Sequence, residues 1–327
     1  MGSSGRPAPR EDEAFAFGFA VLQRRYPKIE LRPHRPCRNA PSEADAPRHG
    51  DPRPMTLSPM TADQGRRIHI TGAPRSGTTL LHVLFLACFD IDGGVKEELR
   101  LRRPAPRDRR IVCTKCPDEV AFTAAMLNLD PRLHAVYVAR DPRDVITSEH
   151  GRWPGRYFTN LRVWRRSARA AEKARGRERF HLVDYHRLVT EPDAVQAELM
   201  AAMPFLTLKH LFSRYHEVVR DPSAEWAPAM RSIRPVTPES LGAWRLKPER
   251  IKGQIARHGD MTDELIALGY ERDRHWLTAL RPVQPDLTPS IHPEHPGLRR
   301  AISERLPRIR DAVLYLTRNA LPMAAAR

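Results

Sequence analysis

Between residues 67 and 272, short apolar runs alternate with longer stretches whose apolar positions recur every three to four residues. The runs 67–71, 110–114, 134–139 and 179–183 read as buried strands, bounded by polar or turn-forming residues. The stretches 77–88, 117–128, 142–149, 158–175, 192–202, 205–218, 248–257 and 261–268 read as helices. Strands and helices in alternation predict an α/β domain with a central parallel sheet and crossover helices on its faces. Residues 1–66 are rich in Pro, Arg, Asp and Ser and are expected to be a mostly irregular extension. One short helix over the apolar patch Phe15–Leu22 would dock on the domain. The domain itself is placed at 67–279, followed by a tail at 280–327. Within the tail, the proline-rich 280–294 reads as a linker or an extended crossing segment. Residues 296–320 are amphipathic with Pro307 inside, so a kinked or broken helix is expected there.

Composition changes this picture little. The chain has 327 residues, 41% of them hydrophobic, which is enough for a real core. Lys and Arg number 55 against 39 Asp and Glu, a net charge of +16. Such a surface attracts polyanions, but arginine-rich usage throughout the chain accounts for it equally well, so charge selects no partner. The basic face of 296–320 is compatible with a membrane surface or an acidic partner, and a solvated face is the expectation. Cys113 and Cys116 have metal-ligand or redox spacing, yet no second such pair and no histidine ligand pattern accompanies them. Buried free thiols are expected and no metal site. No apolar run approaches a membrane span, and neither a signal-peptide nor a myristoylation pattern is present at the N-terminus.

The sharpest local signal is IHITGAPRSGTTLL (68–81), a strand, a glycine-bounded loop and the start of a helix. Gly72 and Gly77 have the spacing of the P-loop G-x-x-x-x-G-K-[ST], but Thr78 stands where that loop carries lysine. Backbone N–H groups at a helix N-terminus can still face an anion. Missing is the lysine that reaches the outer phosphates of a triphosphate. The loop reads as a cradle for a nucleotide phosphate, not built to split ATP or GTP. A second signal is VYVARDPRDVITSEHGR (136–152), with Arg140 at a strand end, Pro142 opening a helix and Ser148 beyond it. Arg and Ser at such a junction suit a second phosphate; alone, the segment also reads as Arg140 paired with Asp144 to cap a helix. Two such junctions in one α/β chain point to one nucleotide carrying phosphates at both ends, laid across the carboxyl edge of one sheet.

GAPRSGTTLL (72–81) resembles the 5′-phosphosulfate loop of sulfotransferases that use 3′-phosphoadenosine 5′-phosphosulfate (PAPS), and VYVARDPRDVITS (136–148) resembles their 3′-phosphate motif. FHLVDYHRLVTEPDAV (180–195), PESLGAWR (238–245) and LIALGYE (265–271) resemble later segments of that family, in the family's order. The style is that of Golgi-type and bacterial members, the protein-tyrosine sulfotransferases above all. The resemblance implies a single P-loop-type domain that moves a sulfuryl group from PAPS to an acceptor hydroxyl, leaving adenosine 3′,5′-bisphosphate (PAP). It assigns the 5′-phosphosulfate to the backbone N–H groups of Ser76, Gly77, Thr78 and Thr79 with the two threonine hydroxyls, and gives Arg75 the charge that builds on the bridging oxygen. Arg140 and Ser148 would take the 3′-phosphate, with Arg152 four residues further on the same helical face, and Tyr185 would contact the nucleotide. The tyrosine-sulfating type uses a glutamate within E-E-x-R as base, matched here by Glu97-Glu98-Leu99-Arg100. Glu98 is the expected base and Glu97 the second choice, although KEELR by itself reads as an exposed helical charge cluster. Lys115 matches a lysine that donates to the leaving oxygen.

The chain also departs from the family. Ala243 stands where a lysine is usual, which moves nucleotide contacts to Arg245 or Lys247, and Ser232 is out of register with a serine of the tyrosine-sulfating type. Of that type's disulfide, Cys113 supplies one half and Val95 replaces the other. No disulfide is expected, hence a reducing, cytoplasmic compartment. Acceptor pockets of this fold are built from loops, here 89–109, 150–160 and 219–240. Their arginines (Arg100, Arg102, Arg103, Arg156, Arg231, Arg234) point to an anionic or saccharide acceptor. Two other classes compete. A P-loop kinase would need metal-binding carboxylates, for which Asp118 and Asp130 lack the context. A polyanion-binding module would need aromatics interleaved in a basic patch, which the chain lacks; nucleic acid is not expected as a partner.

Overall fold

The computed structural model of the protein describes residues 65–106, 108–151, 153–220, 230, 232–295 and 306–317. The expected Phe15–Leu22 helix, Arg152 and Arg231 lie outside these residues. Five parallel strands form the central sheet in the order β2 (Gly93–Glu98), β3 (Ile111–Lys115), β1 (Arg66–Gly72), β4 (Leu133–Ala139) and β7 (Phe180–Asp184). All four expected strands are present. The fifth, β2, was hidden by its own sequence: GGVKEE has two glycines and three charges, residues that strands disfavour except at an edge.

Alternation along the strands decides what lies above and below. Ile68 and Ile70 of β1 with Val136 and Val138 of β4 pack under α1 (Thr78–Cys88), whose run TTLLHVLFLAC is apolar nearly all round because both its sides are covered. The opposite face of β4, Leu133, Ala135 and Tyr137, packs against α2 (Val120–Met126) and α4 (Leu161–Ala174). The described part of the C-terminal amphipathic segment, α10 (Leu306–Tyr315), joins this second layer through Tyr315, fully buried beside Phe122 with ring centroids 6.3 Å apart.

Two expected helices change form. The helix placed at 142–149 ends at Ile146 (α3, Pro142–Ile146), and the chain then enters a small hairpin, β5 (Glu149–His150) with β6 (Trp153–Tyr157). Ser148 therefore lies beyond the end of the helix. Residues 205–218 do not form one helix. Leu208 pairs with Phe89 and the Lys209 N–H bonds the Cys88 carbonyl at 2.8 Å, so tertiary pairing captures that backbone before a short helix forms at Tyr215–Val218. The proline-rich 281–295 runs extended against the domain as a crossing strap. Its Glu294 carboxylate takes the Ser290 N–H at 3.0 Å and His258 Nε2 at 2.7 Å, which holds its pKa down at about 2 against the opposing effect of burial. Among the described residues no helix is long and apolar enough to cross a membrane.

Candidate active site

The sheet's carboxyl edge opens into a cleft of about 1010 Å³. At its floor the chain leaves β1 through Ala73-Pro74-Arg75-Ser76-Gly77. Arg75 has φ 76°, the one described non-glycine residue in the left-handed region, and Gly77 has φ 103°. Gly77 is required twice over, since a Cβ there would lie 2.4 Å from the Tyr185 ring. The reversal brings the first turn of α1 to the cleft, and the first N–H groups of a helix have no partners within it. Thr78 and Thr79 line it. Ser76 does not: its N–H closes the turn onto the Ala73 carbonyl at 3.0 Å, and its buried Oγ faces back towards Gly72. Of the expected cradle, Gly77 to Thr79 remain.

Arg140, at the end of β4, locks three segments together. Its Nη1 donates to the Arg75 carbonyl (3.1 Å), Nη2 to the Ser240 carbonyl (3.0 Å), and the guanidinium stacks 4.2 Å above the Tyr185 ring. Its Nε is buried without a hydrogen-bond partner, the kind of orphaned donor that an anion would satisfy. Arg75 in turn donates from Nε to Ser148 Oγ at 2.9 Å, so the two junctions read separately in the sequence touch. The pairing of Arg140 with Asp144 as a helix cap is not what forms. Asp141 caps α3 by accepting the Arg143 N–H at 2.8 Å, while Asp144 accepts from the N–H groups of Gly242 (2.9 Å) and Trp244 (3.0 Å). Burial raises the Asp144 pKa from its ordinary value, opposed by nearby Arg140. These bonds seat the 238–245 turn over Arg140, and Ser240 Oγ meets Tyr185 Oη at 2.8 Å. Arg245 points elsewhere: it stacks on Trp244 at 4.8 Å and does not line the cleft. Lys247, the other position the missing family lysine suggested, does line it, beside Glu149.

Glu98 and Lys115 end neighbouring strands. Lys115 Nζ donates to Glu98 Oε1 at 2.7 Å and to Thr79 Oγ1 at 3.2 Å, a bridge from the base candidate to the cradle. The lysine side chain is 6% exposed and the glutamate 58%, so the cation is fixed and the carboxylate is open to a solute. Because β2 is a strand, alternate residues part company: Lys96, Glu98 and Arg100 line the cleft and Glu97 does not. The edge ladder helps, for its register shifts between Gly94 and Glu98, and such a bulge re-aims a side chain. Sequence reasoning missed Lys96 and His292, which also line the cleft. Lys96 became legible only once the strand was known, and His292 arrives from the distant strap.

Cys88, Cys113 and Cys116 are buried free thiols, as expected. Burial pushes Cys88 up to about 12 and Cys113 and Cys116 higher still. A second cavity, about 190 Å³, lies behind Arg140 between α4, β7 and residues 267–270, and shares only Arg140 with the groups above.

No curated protein matches the sequence. Solved structures with a distant likeness include a sulfotransferase domain from the Synechococcus PCC 7002 olefin synthase (15% identity, 64% of this chain and 95% of that one, TM-score 0.45). Another is a sulfotransferase domain from the curacin biosynthetic pathway (17%, 55% and 90%, TM-score 0.41). A third is mouse sulfotransferase SULT7A1 complexed with PAP (11%, 63% and 89%, TM-score 0.38). At these scores nothing about the site rests on them. The family model described as "Sulfotransferase family" matches residues 95–204, starting beyond the 72–79 loop and taking in β2 to α6 (Pro192–Ala202). Residues 95–204, which include Glu98, Lys115, Arg140, Ser148 and Tyr185, are similar to the sulfotransferase family.

Proposed function

We propose that the protein transfers the sulfuryl group of PAPS to a hydroxyl on an acceptor. The observation that carries this reading is the convergence at one cleft of a lysine-free anion cradle, an Arg140–Tyr185 platform and a Glu98–Lys115 pair. Strand order supports a division of labour. Arg140 and Tyr185 stand at the ends of β4 and β7, on one side of the β1 loop, and Glu98 and Lys115 end β2 and β3 on the other. The nucleotide then lies towards β7, with its 3′-phosphate at Arg140 and Ser148 and its 5′-end on Gly77 to Thr79. The acceptor approaches over β2.

Glu98 takes the proton of the acceptor hydroxyl as that oxygen bonds to sulfur. The bond from sulfur to the bridging oxygen breaks, and the electron pair leaves with PAP. Lys115 has three N–H bonds, two of them engaged by Glu98 and Thr79, so one is left for the departing oxygen. Arg75 adds positive charge beside it. A preorganised donor at such a position is worth about 3–4 kcal/mol of barrier. Lys96 and Arg100 flank the base on the same side, which favours an acceptor bearing an anionic group near its hydroxyl.

The test joins binding to turnover. PAP should raise the melting temperature well above the shift given by AMP, which lacks the 3′-phosphate; at a hundredfold over Kd the gain is about 2.7 kcal/mol. Labelled PAPS offered to phenol, saccharide, lipid and peptide acceptors, each with and without an anionic neighbour, identifies the acceptor class. Glu98→Gln should bind PAP normally and lose transfer. Equal stabilisation by ATP and PAP would sink the reading.

A further inference from the structure

β1 is the middle strand of a parallel sheet, covered on both faces, and such strands are ordinarily apolar throughout. Here one face carries Arg67, His69 and Thr71, exposed by 4%, 0% and 0%. Charges and polar groups in such a place are costly unless their partners are supplied. The partners converge on one spot. Arg67 Nη1 donates to the carbonyls of Leu101 (2.8 Å) and Arg103 (3.0 Å), and its Nε to Thr114 Oγ1 (3.3 Å). Glu119 Oε2 accepts the Leu101 N–H at 2.6 Å. His69 joins the two halves, with Nδ1 2.8 Å from Thr114 Oγ1 and Nε2 3.6 Å from the Glu119 carboxylate. Leu101 is fully buried and gripped through both its N–H and its C=O.

Leu101 lies three residues beyond Glu98, and Thr114 adjoins Lys115. β2 is an edge strand whose register shifts between Gly94 and Glu98, so its ladder holds Glu98 only at that last pair, beside the Leu99 N–H on the Lys115 carbonyl (3.0 Å). The turn after it is also braced from outside, where Arg102 Nε meets Asp311 of α10 at 3.4 Å. We propose that Arg67 and Glu119 are positioning residues that clamp the 99–103 turn from beneath and thereby hold Glu98 against Lys115. The role rests on Glu98 being the base, as argued above. Neither residue touches the cleft contents; each acts through the Leu101 peptide.

Glu119→Ala and Arg67→Met should lower kcat by roughly a hundredfold, the effect of a reacting group displaced by about 1 Å. Affinity for PAP should stay within about threefold, since the cradle and Arg140 are held by other bonds. Glu119→Gln, which keeps an oxygen for the Leu101 N–H, should recover most of the loss. Hydrogen exchange supplies a reading apart from activity: the Leu99 and Leu101 amides should exchange faster in the two disruptive variants, and the β4 amides should not. Folded variants with unchanged kcat, or with kcat and PAP affinity falling in parallel, overturn the clamp. So does unchanged exchange at Leu101. Should Glu119→Ala or Arg67→Met fail to fold, Arg67→Lys, which loses the Nε bond to Thr114 and the fixed fork of the guanidinium, is judged by the same readings. A wild-type protein that neither binds PAP nor transfers sulfate brings down the functional reading instead, and exchange still reports whether Arg67 and Glu119 hold the turn.

Discussion

Thr78 looked like a vacancy in a triphosphate site, and a single distance recasts it. Lys115 Nζ lies 3.2 Å from Thr79 Oγ1, so the ammonium missing from the loop arrives from the next strand. A lysine placed there reaches Glu98 and the cradle together, which one within the loop would not be fixed to do. Gly77 supports the same arrangement from below. In Gly77→Ala the left-handed backbone costs about 1–2 kcal/mol, and the new Cβ displaces Tyr185, whose ring carries Arg140. The expected outcome is a lower melting temperature and at least tenfold weaker PAP binding, measured by calorimetry. Adding Tyr185→Ala should restore part of the stability and none of the binding; a double variant no more stable than Gly77→Ala would refute the steric account.

At the scale of elements, the proposed base sits on the least regular strand and the proposed nucleotide-binding groups at the ends of more regular ones. That division makes the packing around α4 informative. Asn160 caps α4 by accepting the Val163 N–H at 3.0 Å, and its amide donates to Ser290 Oγ (2.8 Å) and the His292 carbonyl (2.9 Å) of the strap. A lost cap costs about 1 kcal/mol and each lost internal hydrogen bond about 0.5–1.5 kcal/mol net. Asn160→Ala should therefore lower the unfolding free energy by about 2–3 kcal/mol, whereas Asn160→Ser keeps a cap and loses about half as much. Urea midpoints at constant m-value check this. Because His292 lines the cleft, the alanine variant should also change the apparent affinity for acceptor more than that for PAP.

For the molecule as a whole, buried histidines make stability depend on pH. Burial lowers His82 and His134 to about 3 and His181 to about 4, against 6.5 in an unfolded chain. Between pH 6.5 and about 4 the unfolded state binds more protons, so stability falls as the pH drops through that window. Each such histidine contributes a slope of about 1.4 kcal/mol per pH unit there. Glu294, held at about 2, adds a loss in the same direction below pH 4.5. Melting temperatures should be flat from pH 8 to 7 and fall steeply below 6; His134→Phe should flatten the fall if His134 contributes as described. A profile that rises on acidification would refute the assignment.

The sequence by itself determined the parallel α/β plan, the Gly72–Gly77 loop, and the strand ends that carry Arg140 and Tyr185, because each is encoded locally in alternation, glycine spacing and turn residues. β2 escaped detection, since an edge strand can be polar and its pairing is not written in its own residues. Resemblance alone already prefers Glu98 to Glu97, and that strand with its register shift gives the physical reason Glu98 lines the cleft and Glu97 does not. Equally beyond the sequence were the contact of Arg75 with Ser148, the withdrawal of Ser76 and Arg245 from the cleft, and the Lys115 bridge. All are distances between residues far apart in the chain, and only packing fixes such distances.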